Sequence, residues 1–506
     1  MNIFDSLERA QAQFPNKEAL VFKGEGTPYG ELCEQACRLS AALAKCFAVQ
    51  RGDRVAIFLP NIPEFIVSYY AVERLGAIAV SLNVMLKRDE VEFILRDCGA
   101  IVIITMAPFL EQVPEGLPAL QGIVTVGEAS QRPCLRFSEL VAERPLTELP
   151  RIRIESEDGA AILYTSGTTG KPKGVLLTHG NLSFNSAAVN RYTQMTADDR
   201  LLCFLPLFHC FGQNFIMNGA VNVGATLILH ERFVPDEILE SALMNQASIF
   251  LGVPAVYMRF LALPHSERYL ETIRYYFTAA APMPAEVARR WRQRFGKTIF
   301  EGYGLTETSP FASHNHESDY REESVGTALA GVEIKVVDEK RETLPAGELG
   351  EIAIKGPNVM KGYFNRPEET AEAILDGWFL TGDIGKMDKD GYVYLVDRAK
   401  DMVNISGFKV WPREVEEVLS KHEGIVEAAV IGIPDPLAGE AVKAFVVLNK
   451  GAQLTEKDII DFCRDRIAVY KAPRSVEFID ALPRNPSGKV LKRELRLKGQ
   501  DTKKVA

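Results

Sequence analysis

Residues 165–174 read TSGTTGKPKG, ten positions holding three glycines, three threonines, a serine and two lysines. Apolar runs at 160–163 and 175–177 flank the stretch, which is therefore predicted as a loop joining two strands. Such a loop suits a polyanion. Glycine lets the backbone come close and present consecutive N–H groups, the hydroxyls add neutral donors, and Lys171 and Lys173 add charge. It is not a Walker loop, because the glycine spacing differs and Pro172 follows Lys171 where a Ser or Thr would open a helix. Composition alone fits a solvated hairpin equally well.

A second stretch, 301–308, reads EGYGLTET. Glycines bracket Tyr303, an aromatic suited to stacking on a purine, and Thr306 and Glu307 follow as a hydroxyl and a hard anionic oxygen ligand. Mg²⁺ is commonly held by one carboxylate together with nucleotide phosphates. Further motifs are PLFHCFG at 206–212, TAAAP at 278–282, WFLTGD at 378–383, Asp397-Arg398, SGFKVWP at 406–412 and PSGK at 486–489. Taken singly, any of them is a turn, and TGD alone reads as a β-turn.

In this order and at these separations, the set resembles the acyl-adenylate-forming superfamily of acyl-CoA synthetases, firefly-type luciferases and peptide-synthetase adenylation domains. The resemblance covers essentially the whole chain. It implies that a carboxylate attacks the α-phosphate of ATP, releasing pyrophosphate, and that a thiol then takes the acyl group from acyl-AMP. The chemistry is sensible, since oxide is a hopeless leaving group and AMP a good one. The implied cofactors are ATP, Mg²⁺ and coenzyme A, or the phosphopantetheine of an acyl carrier protein in place of coenzyme A. By the same resemblance, Thr165, Ser166, Gly167, Thr168, Thr169 and Gly170, with Lys173, grip the β- and γ-phosphates. Ala280, Ala281 and Pro282, with Glu301, Gly302, Tyr303 and Gly304, surround adenine and AMP. Thr306 touches the α-phosphate and Glu307 holds Mg²⁺. Asp383 takes the ribose hydroxyls with Arg398 assisting and Lys400 close by, and Lys489 reaches the carboxylate and α-phosphate during adenylation. His209 stands at the acyl entrance, and Gly407 lines the route of the thiol. Lys492, Arg493 and Arg496 read as a solvated face. Two departures stand out: alanines in TAAAP where many relatives carry glycine, and Ile405-Ser406 where a glycine or a basic residue is common.

The elements that must position these residues follow from periodicity. Residues 54–59, 77–82 and 100–105 read as strands and 63–75 and 88–98 as helices, with Pro63 opening a helix and Gly76 following its end. After the loop, 200–205, 225–230 and 248–252 are strand-like, while 212–221 and 235–246 are helical. Residues 106–150, richer in Pro and Glu, read as a connection. From Gly331 short β runs such as VEIKVVDE and GEIAIKG predict a smaller antiparallel unit. The fold class is α/β: a large domain, 1–396, of two sheet-and-helix subdomains plus a β subdomain, then a hinge at 397–400 and a small mobile α+β domain at 401–506. In that last domain Trp411-Pro412 opens a helix with Val415, Val418 and Leu419 on one face, and Thr455 with Asp458 caps another. One Lys489 cannot occupy the α-phosphate while a thiol tunnel opens there, so the small domain is expected to rotate about Asp397 between half-reactions.

Bulk properties narrow the partners. A net charge of −9 with no long Lys/Arg run argues against nucleic acid, and no apolar run is long enough to span a membrane. The N-terminus lacks the apolar core of a signal peptide. The eight cysteines are scattered, with only Cys33 and Cys37 close, so reduced thiols and a cytoplasmic location are expected. Residues 201–230 contain no Asp or Glu, which disfavours an amino-acid substrate because its ammonium would lack a partner there. Phe208, Phe211, Phe215, Ile216 and Met217 wall an apolar tunnel or form a helix core. Residues 397–417 most resemble bacterial fatty-acid CoA ligases, which points to a medium- or long-chain fatty acid, with a cinnamate-like aryl acid as the runner-up.

Overall fold

The computed structural model describes residues 2–128, 132–142, 152–166, 172–406, 408–436, 438–485 and 488–501. Two large sheets form the body. The first has eight strands, with Ile78–Ser81, Arg54–Phe58, Val102–Met106 and Gly122–Val126 running parallel beside Gly159–Ser166. At Gly159–Ser166 the direction reverses: Pro172–Thr178 pairs antiparallel with it, and Gly362–Tyr363 adds an outer strand. The second sheet has nine strands, with Thr226–Leu229, Arg200–Cys203, Ile249–Gly252, Tyr275–Thr278 and Ile299–Tyr303 parallel at its centre. Helices cover both faces, so central strands such as Tyr275–Thr278 are buried at every position and carry no polar alternation.

Most predicted elements form within a residue or two. Pro63–Arg74 starts at its proline, and Gly76 follows it at φ +63°. The stretch 106–150 differs, because Gly122–Val126 extends the first sheet beside Val102–Met106. Its sequence GIVTV is β-branched and half-apolar, but Pro- and Glu-rich flanks obscure it. The predicted helix at 212–221 also differs: Phe211–Asn218 is wound as a π-helix before an α-turn, Gly219–Val223. π-Segments cluster at functional sites.

The antiparallel unit is a five-stranded sheet built from Glu333–Val337, Gly350–Lys355, Ile374–Leu375, Trp378–Met387 and Val393–Arg398. Beyond it, Val403–Ile405, Phe408–Val410, Ile425–Asp435, Gly439–Leu448 and Ser475–Phe478 make a separate sheet. Its core is its own: Val415, Val418, Leu419, Ile459 and Cys463 pack on one face and Leu495 on the other. Thr455 and Asp458 form the predicted capping box. All eight cysteines are free thiols, and no described helix is long and apolar enough to cross a membrane.

Candidate active site

Parallel strands Tyr275–Thr278 and Ile299–Tyr303 are neighbours and end at the same edge, which brings residues 280–282 and 302–304 together beyond their carboxyl ends. That is where open α/β sheets bind ligands. A cavity of about 500 Å³ opens there, roofed by the C-terminal sheet unit. Ala280, Ala281, Pro282, Glu301, Gly302, Tyr303, Gly304, Asp383, Arg398, Lys400 and Lys489, all expected around the nucleotide, are brought together in its lining. Gly304 has no alternative, since a Cβ there would lie 1.7 Å from the Pro310 carbonyl oxygen. Ala280 holds φ +69°, a conformation that favours glycine and costs alanine about 1 kcal/mol.

Asp383 is fixed from two sides. The Tyr303 hydroxyl donates to its Oδ2 at 2.7 Å, and Arg398 Nε lies 3.1 Å from its Oδ1. Arg398 stands directly opposite Asp383 in the sheet register, so the pair is set by strand pairing. Glu301 lines the same cavity; desolvation pushes its carboxyl up to about 7, and its Oε1 accepts the Met283 N–H at 3.1 Å.

Lys489 reaches this cavity from the small domain. Its N–H donates to Asn485 Oδ1 at 2.8 Å, and the preceding Gly488 has φ +82°. A Cβ on Gly488 would sit 2.7 Å from Val253 Cγ2, so glycine allows the chain to press against the large domain. Desolvation, then the nearby Arg398 charge, lowers the Lys489 ammonium to about 8. His209 borders a small apolar space with Leu205, Pro206, Phe211, Gly212, Val253 and Ala280. Desolvation and then the Lys489 charge hold its imidazole down at about 4, so the ring is neutral. Its Nδ1 accepts the Phe211 N–H at 3.3 Å, which assigns the ring proton to Nε2.

Thr306 and Glu307 sit in a short 3₁₀ turn, Thr306–Thr308, next to the first sheet. Glu307 is 9% exposed, and burial raises its carboxyl while the Tyr363 hydroxyl, donating to Oε1 at 3.1 Å, partly counters that. Among the described residues no lysine or arginine forms an ion pair with it. A buried carboxylate without a cationic partner suits a divalent ion, whose charge would offset the desolvation cost. Thr165 pairs in register with Lys173, and Lys173 Nζ lies 5.0 Å from the centre of the Tyr363 ring. Ser166 ends its strand. Gly167, Thr168, Thr169, Gly170, Lys171 and Gly407 lie outside the described residues.

The expectation of a solvated face at Lys492 and Arg496 is corrected. Lys492 Nζ pairs with Glu416 on helix Pro412–Ser420 at 2.9 Å, and Arg496 pairs with Asp401 at 2.6 Å, while Arg493 is exposed as expected. The hinge also holds a cap that sequence reading missed: Asp397 accepts the Arg413 N–H at 2.9 Å, at the start of helix Pro412–Ser420, while Arg413 Nη1 donates to the Leu395 carbonyl at 2.6 Å. Tyr363 was also missed, because a tyrosine in a GYFN run carries no signal until strand pairing brings it to Glu307.

A nucleotide-sized cavity between two domains, one lysine delivered by the smaller of them and a cation-ready carboxylate define a two-domain nucleotide-dependent ligase. Comparisons with known proteins agree. The family described as AMP-binding enzyme matches residues 7–364, and its C-terminal domain matches residues 414–489. The chain therefore belongs to the AMP-binding enzyme family. It is similar to a long-chain-fatty-acid–CoA ligase of Bacillus subtilis, 36% identical over 97% of this chain and 93% of that protein. It is equally similar to a feruloyl-CoA synthase of Amycolatopsis sp, 36% identical over 95% of this chain and 96% of that one. A solved anthranilate CoA ligase, AuaEII, with anthranoyl-AMP bound superposes with a TM-score of 0.94 at 31% identity, over 100% of this chain and 98% of that chain. The chain is an AMP-forming acyl-CoA ligase, an enzyme that uses ATP, Mg²⁺ and coenzyme A.

Proposed function

We propose that the enzyme activates an apolar monocarboxylic acid, a medium- or long-chain fatty acid, as its adenylate and transfers the acyl group to coenzyme A. One observation supports this reading above the others: apart from neutral His209, the space beside Lys489 is lined by Leu205, Pro206, Phe211, Gly212, Val253 and Ala280. Nothing there would pair with an ammonium or a second carboxylate. The B. subtilis relative favours a fatty acid. An aryl acid is the second reading. Phe215 stacks on Phe277 at 4.9 Å and meets Phe311 edge-on at 5.0 Å, so the path beyond Phe211 is filled with rings. A flat acid ends before that block, whereas a chain needs the rings to swing aside. The relatives reported above are CoA enzymes, and nothing favours a carrier protein as acceptor.

In this reading Thr165, Ser166, Gly167, Thr168, Thr169 and Gly170 hold the leaving phosphates with Lys173. Glu307 would hold Mg²⁺, which when bound neutralises phosphate charge. Asp383, kept in place by Tyr303 and Arg398, takes the ribose hydroxyls, and Ala280, Ala281, Pro282, Gly302 and Gly304 enclose the base. Thr306 and Lys489 meet charge at the α-phosphate, Lys489 as a donor aimed where negative charge develops. Neutral His209 separates the acyl space from that charge. Residues 397–400 act as the hinge: release of the Asp397–Arg413 bond lets the small domain turn and bring Gly407 to the acyl adenylate.

The test is turnover with ATP, Mg²⁺ and coenzyme A over fatty acids from hexanoate to palmitate and over benzoate and cinnamate. The highest kcat/KM is expected among the fatty acids. A preference for the aromatic acids moves the assignment to the second reading, and absence of any acyl-AMP or thioester sinks both.

A further inference from the structure

Tyr363 lies where the cation site and the phosphate loop meet. Its strand, Gly362–Tyr363, pairs antiparallel with Pro172–Thr178, the strand that leaves the glycine-rich loop, with Tyr363 opposite Val175. Backbone bonds pin this segment on three sides. Phe364 N–H donates to the Gly174 carbonyl at 2.7 Å, Met360 N–H to the Glu307 carbonyl at 2.8 Å, and Tyr363 N–H to Thr370 Oγ1 at 2.9 Å. Close by, Arg366 pairs with Asp97, whose other oxygen accepts the Tyr164 hydroxyl at 2.7 Å, so the strand entering the loop is tied to the same segment.

From this frame the Tyr363 side chain points two ways at once. Its hydroxyl donates to Glu307 Oε1 at 3.1 Å, and its ring face carries Lys173 Nζ at 5.0 Å. A buried carboxylate has little water to orient it, so the donor that reaches it decides which way its free lone pairs point. A ring held under an ammonium does the same for Lys173 more weakly.

We propose that Tyr363 is a positioning residue that couples Glu307 to Lys173, so that the divalent cation and the β- and γ-phosphates of ATP are met by one rigid unit. The proposal rests on the reading of Glu307 as the cation ligand. In this proposal Tyr363 acts through Glu307 and Lys173, setting the direction of both groups. An alternative of plain packing makes a separate prediction, because a purely structural phenol stabilises the fold without altering cation affinity.

The experiment measures Mn²⁺ binding to the full-length enzyme in the presence of ATP, without acid or coenzyme A, from the electron paramagnetic resonance signal of free Mn²⁺. Tyr363→Phe keeps the ring and removes the hydroxyl. Its Mn²⁺ dissociation constant is expected to rise about tenfold or more, the scale of a hydrogen bond to a charged acceptor, with AMP affinity and Tm unchanged. Tyr363→Leu also removes the ring under Lys173, and is expected to weaken metal-free ATP binding a further few-fold. Glu307→Gln should abolish the ATP-linked Mn²⁺ site, and adding Tyr363→Phe to it should change nothing more. Wild-type Mn²⁺ affinity in Tyr363→Phe, with loss in Glu307→Gln, overturns the proposal alone. Equal weakening of AMP and Mn²⁺·ATP in Tyr363→Phe overturns it too, in favour of packing. Wild-type affinity in Glu307→Gln overturns the reading beneath it.

Discussion

Around the cavity at the strand ends, both oxygens of Asp383 are engaged and the Lys489 N–H is held by Asn485, and near the edge of the first sheet Glu307 is held by Tyr363. In the body of the large domain, Phe211, Phe215, Phe277 and Phe311 contact one another through ring faces and edges, and neutral His209 is, among the described residues, the one polar side chain lining the small space beside Phe211. The first half is directional, since a charged hydrogen bond weakens steeply when its geometry slips. The second is not, and rings can repack with little change in contact area. If the proposed site is right, chemistry common to all acids is built from fixed polar groups, and choice of acid is left to replaceable apolar ones.

The strongest way to break this contrast is to remove the lysine. Lys489→Ala should slow adenylation, read as pyrophosphate release, by about 10²-fold or more, the loss of one transition-state donor. If the small domain turns Lys489 away in the second step, thioester formation from supplied acyl-AMP should persist. Equal damage to both steps would mean that Lys489 holds the domains together rather than serving one reaction.

A titration sharpens the same side. The folded Lys489 ammonium lies at about 8, below the ordinary 10.5, so it is charged below pH 8 and neutral above. The kcat/KM of adenylation for ATP should therefore be level up to about pH 8 and then fall, approaching tenfold per pH unit. Lys489→Arg should move that limb out of range, since a guanidinium keeps its charge. The linked stability effect has the opposite sense. Between pH 8 and 10.5 the unfolded lysine binds more proton than the folded one, so this group makes the fold more stable as pH rises through that window. A kcat/KM profile without a basic limb would show that Lys489 in the free enzyme is not lowered to about 8 or is not needed in its charged form.

The contrast also explains what could be read from the chain. Lys489, Asp383 and Glu307 stand out in the sequence because their motifs follow a distinctive order along the chain, and the structure brings Lys489 and Asp383 to one cavity. Their supports were not. Tyr363 and Glu307, Asp397 and Arg413, and Lys492 and Glu416 meet only through tertiary structure, and Tyr363, Arg413 and Glu416 carry no mark in their own segments. Glu18–Phe22 crosses to pair with Thr226–Leu229 in the second sheet, a partnership that no local period encodes. At Phe211–Asn218 the apolar positions fit an α-helix as well as the π-helix observed, because a one-residue insertion barely alters a short pattern. The same ambiguity leaves Phe215 readable as either core or tunnel wall, and its stack on Phe277 places it in the buried core.

Phe215 is accordingly the place to test the apolar half. Phe215→Leu keeps most of the volume while breaking the stack with Phe277, at a stability cost of under about 1.5 kcal/mol. If the rings limit chain length, the ratio of kcat/KM for palmitate over hexanoate should rise by about tenfold, the scale of one misfitted group in a hydrophobic pocket. The ATP affinity should not move. A shift in ATP affinity without a shift in acid preference would erase the division between the two halves.

The smallest effect is expected at Ala280, which belongs to both halves: it lines the nucleotide cavity and also the space beside His209. At φ +69° its methyl costs about 1 kcal/mol, which Ala280→Gly would relieve. Glycine, however, brings back conformational freedom to the unfolded chain worth roughly 0.5–1 kcal/mol. The two terms nearly cancel, so Tm should change by only a few degrees and ATP affinity by less than about threefold. The methyl's other property is that it narrows the boundary between nucleotide and acid. Its removal should therefore raise kcat/KM for acids branched beside the carboxylate by a few-fold while leaving unbranched acids alone. A large gain in stability would instead show that strain at this turn is the dominant cost, with no compensating constraint on the acid.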